Sequence, residues 1–168
     1  EDYSEFEMFM ARKELKFITR RMNRGRIKSI NDGCFVSGAP FGYRNAIINK
    51  KHTLEVYEPE AKYVRMIFDM YVNQSMGITS ISRQLANLGV LSKKNTPLHP
   101  TTIARMLRNH TYIGKIVWNK SKSVKGKNTQ EKTSKDDWLY VPGLHEPIID
   151  ENTFNKACLL YTSPSPRD

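Results

Sequence analysis

Apolar residues between Glu5 and Ile30 recur at alternating steps of three and four, at Met8, Ala11, Leu15, Ile18 and Met22, with no proline to interrupt them. That spacing predicts one long helix whose apolar stripe is a short heptad seam, and therefore a packing face. At about 100° per residue, Lys13, Lys16, Arg20, Arg24 and Lys28 centre on the opposite side. Gly25 lies inside this helix at a cost of roughly 1 kcal/mol against alanine, which close approach to another surface would offset. Asn31-Asp32-Gly33 ends the pattern. The following Ser37-Gly38-Ala39-Pro40-Phe41-Gly42-Tyr43 is too rich in Gly and Pro for helix or strand, so a structured crossing segment is expected.

Further along, Arg44 to Ile48 and Leu54 to Tyr57 flank a polar turn from Asn49 to Thr53, the pattern of a small hairpin. Pro59 suits a first helical turn, and Val64, Ile67, Phe68 and Tyr71 give the core stripe of a helix ending near Gly77. Thr79 is the expected N-cap of a short second helix with Ile81, Leu85 and Leu88 inward, closed by Gly89. A basic loop with Lys93 and Lys94 leads to Pro100, which opens a third helix with Ile103, Met106 and Leu107 inward and Arg105 and Arg108 outward. Three helices in that order fit a helix-turn-helix reader, although small bundles without a DNA role share the pattern. The connection from Gly89 to Pro100 exceeds a tight turn, so a variant geometry is expected. Tyr112 to Asn119 reads as a strand, Lys120 to Asp137 as a flexible basic loop and Trp138 to Val141 as a second strand. Asp150 caps a terminal helix that breaks off at Thr162-Ser163-Pro164-Ser165-Pro166. The fold class is α+β and mainly helical: a long N-terminal helix, then a small helix-turn-helix-like domain with short β-hairpin strands.

Charge changes this picture. Of a formal +10, Arg12 to Lys51 carries eleven basic residues against Glu14 and Asp32, and Met70 to Gln130 carries ten basic residues and no acid. A surface kept soluble by charge intersperses both signs, whereas a 61-residue acid-free run forgoes the ion pairs that mixing supplies. A polyanion-binding face is the expectation. Cys34 and Cys158 match no zinc spacing and the four histidines form no cluster, so no metal site is expected. With no membrane-spanning run and no signal-peptide pattern, a cytoplasmic, nucleoid-associated location follows as the default.

Four segments in order carry a resemblance: Glu14-x3-Ile18-x2-Arg21-x3-Gly25; Gly38 through Arg44; Thr102-Ile103-Ala104-Arg105-Met106-Leu107-Arg108-Asn109 with Tyr112-Ile113-Gly114; and His145-Glu146-Pro147-Ile148-Ile149. Together they resemble the large serine recombinases, across roughly residues 5 to 158. The resemblance implies a linking helix over 1–32, a recombinase DNA-binding domain over 33–145, and over 146–158 the start of a helix leading to a zinc ribbon. It also implies that the catalytic domain, with its nucleophilic serine, belongs before this segment, so no catalytic residue carries over, and that strand exchange proceeds without a cofactor. Ser4, Ser29 and Ser37 have no base nearby in sequence and read as helix-end or turn residues. Residues 159–168 resemble translated sequencing-adapter read-through and are expected to be a non-native tail.

In such a protein this segment supplies position rather than chemistry. Lys16, Arg20, Arg21, Arg24, Arg26 and Lys28 would neutralise phosphates along the helix, with Tyr43 and Arg44 bracing the chain across a groove. Lys93, Lys94 and Lys115 extend the basic surface, and Thr101, Thr102, Arg105 and Arg108 are the candidates for base edges or adjacent phosphates. The implied partners are duplex attachment sites and, in a full-length protein, further copies of the chain. The alternatives are a DNA-binding regulator without strand exchange and an RNA-associated basic protein, the latter disfavoured because the aromatics mostly follow core periodicity.

Overall fold

A computed structural model of the chain describes residues 2–123 and 129–162. Helix α1 runs Asp2–Asn31, three residues earlier than its periodicity alone marks. It ends where Gly33 turns the backbone left-handed (φ 80°) and the amide of Cys34 reaches back to the carbonyl of Ser29 at 2.9 Å. Only this end docks: Ile30 is fully buried, and Leu144 donates its amide to the Gly33 carbonyl at 3.0 Å.

Strands β1 (Tyr43–Ile48) and β2 (Lys51–Val56) pair antiparallel, with Tyr43 opposite Val56 and Ile48 opposite Lys51. The turn is shorter than the Asn49–Thr53 expected. Asn49 and Lys50 both take left-handed φ (50° and 63°), which lets two residues close the hairpin and leaves Lys51, His52 and Thr53 in the ladder. Helix α2 (Glu58–Val72) stops short of Gly77, because Asn73 and Gln74 both hydrogen-bond the Asp69 carboxylate and Met76 donates to the Met70 carbonyl. Helix α3 (Ile78–Asn87) is capped by Gly77 rather than Thr79: the Gly77 carbonyl already receives the Ile81 amide at 3.0 Å. Ile81 and Leu85 are buried as expected, but Leu88 is exposed, since it is the C-cap from which Gly89 (φ 71°) redirects the chain.

Helix α4 (Pro100–Met106) packs on α3, reached through a turn in which Ser92 and Thr96 bond and Leu91 bridges Pro97. The strand expected from Tyr112 begins later. Asn109 accepts the Thr111 amide and draws His110–Ile113 into a 3-10 turn, leaving β3 as Lys115–Trp118. β3 pairs antiparallel with β6 (Leu139–Pro142). Between them, β4 (Ser121–Ser123) and β5 (Gln130–Lys132) form a hairpin within the expected loop, whose central residues 124–128 fall outside the described ones. Helix α5 (Glu151–Thr162) is capped as read: the Asp150 carboxylate accepts both the amide and the hydroxyl of Thr153.

The core lies between α2, α3, α4 and α5 and includes Phe68, Ile81, Leu85, Ile103, Leu107 and Phe154. Its polar ties join distant segments. The Tyr43 hydroxyl donates to the Glu146 carbonyl at 2.7 Å, the Tyr112 hydroxyl to the Phe41 carbonyl at 2.7 Å, and His145 Nε2 to the Thr111 carbonyl at 2.7 Å. Gly42 is required here: at φ 95° an added Cβ would lie 2.8 Å from a Val64 methyl carbon, while its amide donates to Glu60 at 2.8 Å.

Candidate nucleic-acid interface

The candidate residues of α1 share one property. Lys16, Arg20, Arg21, Arg24, Arg26 and Lys28 are all exposed, and none is in an ion pair with any described acid. The helix is a lone rod. Its apolar seam is therefore exposed as well, with Leu15 65% and Met22 61% accessible, so the packing face finds no partner among the described residues. A Cβ added at Gly25 likewise meets nothing within 4 Å. The periodicity correctly marks an apolar stripe but cannot say what covers it.

Candidates in the domain are placed differently. Tyr43 is fully buried, its hydroxyl committed to the Glu146 and Thr111 carbonyls and pushed above its ordinary acidity range by burial. Its side chain is a core strut and is not available to brace a groove. Arg44 is exposed but bonds Glu55 at 2.9 Å and sits over the Tyr57 ring, and this hydrogen bond holds the Glu55 carboxyl below its usual range. Lys93 donates to the Tyr43 carbonyl and lies 3.7 Å from Glu60, so it pins the loop to β1. Lys115 meets Glu151 at 2.6 Å.

That leaves a smaller set at the surface around α4. His99, which the sequence reading did not single out, caps the helix by accepting the Thr101 amide. Thr101 and Arg105 are exposed beside half-buried Thr102, and Lys94 is exposed on the preceding loop. Arg108 is held back: Nε donates to the Ala104 carbonyl at 3.1 Å and its guanidinium stacks 4.3 Å from the Tyr161 ring centre.

Beside α4 opens a cleft of about 750 Å³ between the end of α4, the turn before β6, and α5. Arg105, Arg108, Lys120 and Lys135 line it together with Trp138, Tyr140 and Tyr161, and no acid is among the described lining residues. Lys120 sits 5.4 Å over the Trp138 ring. Burial lowers the proton affinity of Lys120 and of His110, whose imidazole is further lowered by nearby Lys120 and Lys115. Reading Lys120 to Asp137 as a loop hid this wall. The available signal was Trp138 and Tyr140 two residues apart, a spacing that puts both rings on one side of an extended chain.

A family model described as Recombinase matches residues 58–163, more than half of the chain. The chain belongs to the recombinase family. A putative DNA recombinase of Bacillus subtilis (strain 168) is 29% identical over 103 residues, covering 58% of this chain and 20% of that protein. A structure concerned with sequence requirements of the Listeria innocua prophage attP site is 28% identical with TM-score 0.59, covering 84% of this chain and 51% of the other. A crystal structure of an LSR–DNA complex is 28% identical with TM-score 0.58, covering 84% of this chain and 38% of the other. The chain thus spans a fifth of the curated relative. The family is the one the four motifs pointed to, and the α+β, mainly helical class is observed. Three of those motifs supply the recombinase core ties: Gly42 and Tyr43, Tyr112, and His145 and Glu146. Among the described residues no three His, Cys, Asp or Glu side chains gather as a metal site, and no helix is long and apolar enough to cross a membrane.

Proposed function

We propose that this recombinase segment binds duplex attachment sites in a serine site-specific recombinase that integrates or excises a mobile element. The observation that carries the reading is the row of exposed, unneutralised cations on α1 beside a helix-turn-helix-like α3–α4 pair presenting Thr101, Thr102 and Arg105. Phosphates repeat along a duplex and attract such a row without regard to sequence, whereas a short helix with an exposed arginine reads base edges. The related LSR–DNA complex supports DNA as the partner. Within the full-length protein, acting in the cytoplasm at the nucleoid, the exposed seam of α1 serves self-association.

Duplex binding against salt tests the reading. With six to ten phosphates neutralised, affinity falls roughly 10³- to 10⁵-fold between 50 and 200 mM salt. A flat response would remove the phosphate-tracking role.

A further inference from the structure

Behind the core residues Phe41, Met106 and Tyr112, the cleft beside α4 presents a chemistry unusual for a surface recess. Among the described residues, four cations and five Phe, Tyr or Trp rings line it without an acid, one of the rings being Tyr161 of the expected non-native tail. One of the cations, Lys120, rests 5.4 Å over the Trp138 ring, a charge held by the negative face of an indole. His110 Nδ1 is buried without a hydrogen-bond partner among the described residues. At about 750 Å³ the recess is of the size that takes a small molecule or one nucleotide. A paired base keeps its ring in the stack and cannot turn it to a protein wall, whereas an unpaired one can.

We propose that this cleft seats one unpaired nucleotide of a DNA strand, with its base against Trp138 and Tyr140 and its phosphate between Lys120 and Lys135. The proposal rests on the DNA-binding reading above, because the rim of the cleft shares Thr102 and Arg105 with the face of α4 assigned to the duplex. A strand lying along α4 therefore passes the mouth. Burial disfavours charge on Lys120 and His110, and the negative charge of an arriving phosphate opposes that effect, so occupancy raises the proton affinity of both. A free mononucleotide has the same chemistry. Continuity with α4 selects the strand as the source.

The test uses the whole chain with Trp118→Phe, which leaves Trp138 as the sole tryptophan reporter. Three probes are titrated: a paired duplex, the same duplex with one bulged nucleotide, and a free nucleoside monophosphate. The bulged duplex is expected to bind roughly tenfold or more tightly than the paired one, with quenching of Trp138. Fluorescence anisotropy of labelled DNA should show that preference lost in Trp138→Ala, largely kept in Trp138→Phe, and reduced in Lys120→Met. Equal binding of the two duplexes overturns this site alone and leaves the duplex-binding reading standing. A monophosphate that quenches as tightly as the bulged duplex overturns the strand as occupant. Absence of binding to either duplex overturns the underlying reading and this site with it.

Discussion

Helix α1 and the domain that follows it carry similar charge in sequence but hold it in different ways. Along α1 the cations stand clear of any described acid, on a rod that docks on the rest of the described residues at its last turn. In the domain, Arg44, Arg65, Lys93 and Lys115 each have a carboxylate, and Arg108 has a ring. The difference teaches that net charge measures a potential, while geometry decides which charges remain available for a ligand. An exposed ion pair adds little to stability, but it does partly neutralise its cation toward phosphate.

The largest expected effect separates the two regions by their dependence on the core. Phe68, buried against Tyr112 and Phe154, is not near α1, and Phe68→Ala should destabilise the domain by about 3–5 kcal/mol in urea unfolding. Site preference is then lost as the domain unfolds while weak, salt-sensitive association through α1 persists. Loss of both in parallel would mean that α1 cannot act apart from the domain.

Next comes a change confined to α1. Replacing Arg20, Arg24 and Lys28 together by Ala should lower the salt slope of duplex binding by about 3, near 0.9 per phosphate, with the melting temperature unchanged. An unchanged slope would place the phosphate contacts in the domain instead.

Tyr43→Phe tests the opposite assignment. Removing a hydroxyl that donates to the Glu146 carbonyl should cost about 1 kcal/mol in thermal or urea unfolding and leave duplex affinity intact below the transition. Weakened binding without lost stability would return Tyr43 to the interface.

The smallest effect is that of pH. Burial holds His110 and His145 below the ordinary imidazole range, so as pH falls below about 6.5 the unfolded chain takes up protons that the folded domain does not. Stability should therefore decline between pH 7.5 and 5.5. The lowered carboxyls of Glu55, Glu58, Asp69 and Asp150 contribute only at more acidic pH. Helix α1 contains no histidine, so the decline belongs to the domain. A melting temperature equal at both pH values would contradict neutral, buried imidazoles.

Most elements were legible because local signals agreed with packing: the stripe of α2, proline at the start of α4, and Asp150 at the start of α5. Where they failed, a long-range or single-residue effect intervened. Asn109 diverted the Tyr112 segment into a 3-10 turn, and a left-handed Asn49-Lys50 pair shortened the hairpin. The motif residues that carried the family resemblance are largely the struts of the core, so the most specific part of the sequence describes the fold. The interface rests on generic lysines and arginines, and sequence alone could not sort free ones from paired ones. Tyr43 and Arg108 show the cost: each lies in a basic, motif-rich stretch, yet one is buried and the other donates to the Ala104 carbonyl of its own helix.

The division of labour between α1 and α4 is tested most directly by a specificity ratio. Duplexes selected from a random pool by the chain are compared with unselected ones for binding by the chain, Arg24→Ala and Arg105→Ala. Arg24→Ala should weaken both duplexes alike and preserve the ratio, whereas Arg105→Ala should cut the ratio by roughly tenfold or more, corresponding to about 1–3 kcal/mol of discrimination. Equal losses on selected and unselected DNA for both variants would contradict a domain that selects the site beside a helix that only tracks phosphate.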